Sequence, residues 1–143
     1  MAPVPPDALF KIMIRLNTFL FRLSGGRLWK SMLGMPVLLL TTPGRKTGQP
    51  RTTPVVYVRD AGDYVVAASK GGSDANPAWY LNLAAVPEAQ IEVGGQKLRA
   101  RVTITQGEER DRLYEMFKSA GPHFATYEQN TSRVIPVVRL TPV

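Results

Sequence analysis

No cysteine occurs in the 143 residues, which excludes disulfides, thiolate metal sites and thiol nucleophiles together. Histidine occurs once, at His123, too few for a metal centre built on two or more imidazoles. Acid is scarce at one end: residues 1–51 carry eight Lys and Arg but one carboxylate, Asp7. No apolar run is long enough to span a bilayer, and Lys11, Arg15 and Arg22 break up the early apolar segment, so no cleavable leader pattern is present. G-x-S-x-G, H-x-E and paired-carboxylate patterns are missing too. An enzyme made from this chain must take its hard chemistry from a bound organic cofactor. The lack of cysteine suits a reducing, cytoplasmic setting.

What is present begins with charge. The net charge is +7, and the first 51 residues account for all of it, because the remaining 92 hold ten groups of each sign. Nucleic acid, an anionic membrane surface or an acidic small molecule each fits such a distribution. Residues 8–23 read as an amphipathic helix, capped by Asp7 and ended by Gly25-Gly26. Lys11, Arg15, Thr18 and Arg22 fall on one stripe, and Leu9, Ile12, Leu16, Phe19 and Leu23 lie opposite. Such a helix suits packing on its own core or peripheral contact with a membrane. Residues 1–30 are expected to form this helical segment and residues 31–143 a single barrel domain.

Beyond the helix the texture is that of strands. "PVLLLTT", "TTPVVYVRD", "YVVAAS", "AQIEV", "QKLRARVTIT" and "RVIPVVRL" are short apolar or alternating runs, and Gly94-Gly95 marks a two-residue hairpin. Pro136 suggests an edge or irregularity in the last of them. Two further helices are expected. One starts at Asn76-Pro77 as N-cap and N1, the other at the capping box Thr105–Glu108. The fold class is therefore mainly β (α+β): a small barrel of about six mostly antiparallel strands with flanking helices. The acids of the last helix, Glu108, Glu109, Asp111 and Glu115, alternate with Arg110, Arg112 and Lys118 and read as a salt-bridged face.

Two loops carry the candidate chemistry. "TTPGRKTGQPRTTP" places Arg45, Lys46 and Arg51 beside Gly44 and Gly48, which offers a planar fork and a point charge next to accessible backbone N–H groups. Its spacing is not that of a Walker loop. "ASKGGSDANPAWYLNL" ends a strand at Ser69-Lys70, then adds two glycines, a helix start and two aromatics, Trp79 and Tyr80. Such loops on neighbouring strands suit an anion with a flat ring beside it.

Those stretches, with the closing "RVIPV", resemble the deazaflavin-dependent nitroreductase family of actinobacteria, from about Pro36 to the C-terminus. The resemblance implies a split β-barrel of the FMN-binding type and the anionic 5-deazaflavin coenzyme F-420 (8-hydroxy-5-deazaflavin) as cofactor. It further implies hydride transfer from the reduced coenzyme to a small-molecule acceptor: a quinone, a nitro compound or an enone. By the same resemblance, Arg45, Lys46, Thr47 and Arg51 line the tail and phosphate region, and Thr52, Thr53, Pro54 and Val55 run alongside the cofactor. Ala67, Ala68, Ser69 and Lys70, with Ala78, Trp79, Tyr80, Leu81 and Asn82, border the ring, and Phe124 closes the site. Ser69 and Tyr127 are the candidates for positioning a proton, and no metal is expected. Nitroimidazole-activating members carry tyrosines where this chain has Gly121 and Phe124, and another aromatic at Val56. These changes point away from bicyclic nitroimidazoles but leave cofactor binding intact. FMN, or a non-catalytic role on anionic lipid or nucleic acid, stays as an alternative. Nucleic acid is disfavoured because the aromatics cluster in apolar runs rather than on a basic face.

Overall fold

The computed structural model describes residues 31, 32 and 34–143; the helix expected over residues 8–23 lies outside them. One eight-stranded, wholly antiparallel sheet dominates: β1 Ser31–Met32, β2 Met35–Pro43, β3 Pro50–Val56, β4 Val58–Asp60, β5 Asp63–Ala67, β6 Glu88–Val93, β7 Gln96–Ile104 and β8 Val137–Pro142. Three helices pack on it: α1 Ala78–Ala85, α2 Gly107–Ala120 and α3 His123–Gln129. No described helix is long and apolar enough to cross a membrane.

The strand order β1-β2-β6-β7-β8-β5-β4, with β3 on the other side of β2, closes the sheet in an instructive way. The segment expected as one strand, "TTPVVYVRD", is two strands that serve opposite edges: β3 pairs with β2, and β4 pairs with β5. Tyr57 is the corner between them. Its N–H donates to Pro36 O at 3.1 Å and its ring meets Tyr64 edge-on at 5.3 Å. The sheet therefore curls until its two edges are consecutive pieces of one chain, which is the split barrel expected from the sequence.

Alternation along the strands divides the core in two. Tyr64, Val66, Val138 and Leu140 point into the barrel with Leu38, Leu40, Val55 and Ile91, and Leu83 of α1 plugs one end. Val65, Ala67 and Val137 face outward against Leu113, Tyr114 and Phe117 of α2 and Phe124 of α3. Because β5 and β8 are covered on both faces, their sequences read as unbroken apolar runs. The β6–β7 hairpin turns at Gly94 and Gly95, whose φ values of 57° and 83° fit the two-residue loop expected there.

Several local expectations give way to longer-range partners. Thr105 does not cap α2; its hydroxyl donates to Val137 O at 2.7 Å, tying β7 to β8, and the N-cap is Gln106 without a side-chain bond. Asn76 does not cap α1 either. The N-cap is Pro77, and the Asn76 amide oxygen accepts a bond from Arg133. Pro136 stands just outside β8, where its carbonyl accepts from Ala68 N. The charged helix bonds outward as well as along itself: Asp60 receives both Arg112 and Arg139, and Arg139 also reaches Asp63 and Glu109.

The two guanidiniums hold the Asp60 carboxyl far below the usual carboxylate range, chiefly through the hydrogen bond from Arg112 and then that from Arg139. A depressed folded-state pKa contributes stability above the unfolded pKa, and this is lost as pH falls below it. Thermal stability should therefore drop progressively below about pH 4. Asp60→Asn should cost roughly 1 kcal/mol near neutrality and flatten the acid limb, with the loss shrinking at high salt. Thermal melts of both proteins across pH and salt measure this. An unchanged acid limb would assign the acid sensitivity to other carboxylates.

Candidate functional site

Both cationic loops leave the barrel at one rim. Four antiparallel steps separate β2 from β5, so these strands run in the same direction and their C-terminal ends emerge together. The β2–β3 loop is shaped by Gly44 N donating to Gln49 O at 2.8 Å, Gly48 N to Gly44 O at 2.7 Å, and Gln49 N to Thr47 Oγ1. The loop closes tightly on Gly44, where a Cβ would lie 3.1 Å from Gln49 O and 3.4 Å from Arg51 Nε. Asn82 of α1, buried at 4% exposure, fixes this loop to the barrel. Its Oδ1 accepts from Arg45 N at 3.1 Å and Arg45 Nη1 at 3.0 Å, and its Nδ2 donates to Thr42 Oγ1 at 3.2 Å. Arg45 is thus held at both backbone and head, whereas Lys46 and Arg51 are exposed.

The second loop is a tight turn. Ser69 is right-handed, at φ −77° and ψ −36°, and Lys70, Gly71 and Gly72 follow at φ 47°, 65° and 84°. A right-to-left-handed step of this kind turns successive backbone N–H groups toward one concavity, the arrangement that binds anions. Among the described residues, the N–H groups of Ser69, Lys70 and Gly71 make no hydrogen bond. Lysine rarely adopts positive φ, so Lys70 needs outside support. Arg133 lies against the turn and bonds to Ala68 O, Ser69 O, Ser73 O and Asn76 Oδ1. On the far side, α3 presses on Gly72, where a Cβ would come within 3.0 Å of Tyr127 Cα. The Tyr114 hydroxyl, its pKa pushed up to about 12 by burial, donates to Phe124 O at 2.7 Å and fixes α3 in place.

The residues expected at the site divide by what their side chains can offer. Arg45, Lys46, Thr47, Arg51 and Lys70 stand exposed at the rim, and Ser69 is half-buried beside them. Thr52 shares a 2.8 Å hydroxyl bond with Thr41, while Thr53 and Pro54 are half-buried along β3. Trp79 and Tyr80 lean on the barrel core, edge to face, whereas Ala78 and Leu81 face out. Val55, Ala67, Ala68 and Phe124 are buried, and the N–H and carbonyl of Ala68 are both bonded within the protein, so the structure does not bring these four to the open rim. Phe124 sits within the α2–α3 packing, 5.1 Å from Phe117, and the half-buried ring of Tyr127 lies 5.4 Å from it. Neither Ser69 Oγ nor Tyr127 Oη has a hydrogen-bond partner among the described residues. The His123 ring covers Gly121, where a Cβ would fall 2.5 Å from His123 Cε1. A tyrosine at position 121 would first have to displace that imidazole.

Sequence reasoning missed Arg133, which braces the second loop, and α3 as a helix. Arg133 opens the "RVIPV" motif, but its partners are 57 to 65 residues away. Pro122 followed by aromatics at 124 and 127 was the available signal for α3.

Comparison with known proteins agrees with this architecture. A family model described as F420H(2)-dependent quinone reductase matches residues 13–142. An F420H(2)-dependent quinone reductase of Mycobacterium tuberculosis is 39% identical over 133 residues, covering 90% of this chain and 89% of that protein. Among solved structures, an F420-H2 dependent reductase aligns at TM-score 0.68 with 36% identity, over 73% of this chain and 93% of its own. A structure described as a domain-swapped dimer aligns at TM-score 0.70 with 33% identity, over 88% and 95%. The rim loops, the split barrel and the sequence thus converge, and the chain belongs to the F420H(2)-dependent quinone reductase family.

Proposed function

We propose that this protein is an oxidoreductase that binds the reduced 5-deazaflavin coenzyme F-420 and passes a hydride to a quinone or a similarly activated small-molecule acceptor. The observation that carries the reading is the convergence of two cationic, N–H-rich loops on one rim, one anchored by Asn82 and the other by Arg133. Three exposed cations on the β2–β3 side suit a polyanionic tail better than a single phosphate. The N–H groups of Ser69, Lys70 and Gly71, unbonded among the described residues, suit an anionic oxygen. When bound, the reduced coenzyme supplies the hydride at its ring carbon.

The chain's own part is binding and placement. Arg45, Lys46 and Arg51 hold the tail, and Trp79 offers an apolar border for the ring. The braced Ser69–Gly72 turn keeps donor and acceptor in near-attack geometry. Ser69 and Tyr127, whose hydroxyls have no partner among the described residues, would hold the proton that the reduced acceptor takes up. The hydrophobic acceptor also gives the basic, amphipathic pattern of residues 8–23 a use, as a peripheral contact with an anionic membrane surface.

Titrating the full chain with F-420 and with FMN, followed by fluorescence, tests the central claim; tight FMN binding with none for the deazaflavin would reject it. Lys46→Ala should weaken deazaflavin binding by about tenfold or more without changing the melting temperature, because an exposed lysine carries little folding energy. Asn82→Ala should weaken binding through the loss of Arg45 placement and also destabilise the fold by about 1–3 kcal/mol, since Thr42 loses its buried donor. Equal binding by wild type and Asn82→Ala would show that Arg45 does not contribute. Flotation with anionic liposomes should retain the full chain and release one lacking residues 1–30; equal retention of both would remove the membrane role.

A further inference from the structure

Arg133 stands out among the cations of this chain. It is drawn into the fold, and burial pulls its pKa below the usual arginine value. Yet among the described residues no carboxylate forms an ion pair with it; Asp74, the acid that acts on it from a distance, instead accepts a 2.8 Å bond from Thr131. The guanidinium is satisfied by neutral oxygens: Nε to Ser73 O at 2.9 Å, Nη1 to Asn76 Oδ1 at 2.8 Å, and Nη2 to Ala68 O and Ser69 O at 3.0 Å each. These bonds bracket the turn that forces Lys70, Gly71 and Gly72 to positive φ. A planar fork can bridge three carbonyls and an amide at once; a lysine cannot. Other arginines drawn into the fold are handled differently. Arg139 is matched by Asp60, Asp63 and Glu109.

We infer that Arg133 is a positioning residue for the cofactor site. It locks the Ser69–Gly72 turn so that the N–H groups of Ser69, Lys70 and Gly71 present one concavity, and it leaves its own charge there to be met by an anionic oxygen of the ligand. This rests on the deazaflavin reading above and assigns the anion-binding step to a residue that never needs to touch the ligand. The carbonyls of Ala68 and Ser69, which would otherwise turn their negative ends toward the anion, are occupied by Arg133 on the inner side. An electrostatic well in a partly desolvated place acts more strongly than the same charge in water.

The test compares full-length wild type, Arg133→Met, Arg133→Lys and Asn76→Ala. Wild type must first bind oxidised F-420; if it does not, the proposed function fails and Arg133 is not at issue. Given binding, Arg133→Met should raise the dissociation constant by about tenfold or more, with kcat at saturating coenzyme within about twofold of wild type. Arg133→Lys should recover only part of the loss, since it restores charge but not the fork. Hydrogen exchange on the ligand-free proteins supplies a second readout. The Gly72 and Ser73 amides, which donate to Ser69 O and Lys70 O within the turn, should exchange faster than in wild type while the β6–β7 ladder keeps its protection. Should Arg133→Met fail to fold, Asn76→Ala, which removes one of the acceptors and keeps the cation, carries the test through the same exchange and binding measurements. A folded Arg133→Met with wild-type affinity, full rescue by lysine, or Asn76→Ala with unchanged exchange and binding would overturn the inference.

Discussion

With β6, β7 and β8 between them in a wholly antiparallel sheet, β2 and β5 have no choice but to run the same way. That parity places the two glycine-bearing loops at a common rim, although 19 residues of chain, Pro50 to Ala68, separate the end of one from the start of the other. The kink at Tyr57 completes the constraint, because it lets one segment close both edges of the curled sheet. Helices α1 and α3 then act as buttresses, one behind each loop: Asn82 grips Arg45, and the backbone of Tyr127 backs Gly72.

Electrostatics follow the same division. On the far face, Asp60, Asp63, Glu109, Arg112 and Arg139 neutralise one another and join α2 to the β4–β5 edge. Lys118 bridges α2 and α3 through Glu115 and Glu128. At the rim, by contrast, Arg45, Lys46, Arg51 and Lys70 form no ion pair among the described residues. Charges that hold the fold together are matched within it, and the cations of the rim have no acid beside them among the described residues. The even charge balance of residues 52–143 already hints at the first group, and the acid-poor opening at the second.

Much of this was legible in the sequence wherever the determining partner is local. Gly94-Gly95 specifies its own hairpin, and the two-sided burial of β5 and β8 shows as continuous apolar runs. The rim loops were readable from their glycines and cations, which are short-range features. Where a side chain is claimed by something distant, the local rule gave the wrong result. Asn76 and Thr105 are good caps on paper, but Arg133 and the Val137 carbonyl take them first. The split of "TTPVVYVRD" into β3 and β4 is likewise set by pairing with β2 and β5, not by any residue in the run. Arg133 was invisible for the same reason, since nothing near it in sequence shows four acceptors waiting on a turn two-thirds of the way back to the start of the described chain.

The two walls of the rim are built to different stiffness. The Ser69–Gly72 wall is wedged between a guanidinium and a helix backbone at van der Waals distance. Among the described residues, the Gly44–Gln49 wall is joined to the barrel through one asparagine and otherwise bonds to itself, with Lys46 exposed at its tip. A chain-like oligoanion lying across both would find a fixed anchor at one end and a compliant one at the other. Ligands of unequal length would then differ in place only at the compliant end, with registry kept at the fixed one.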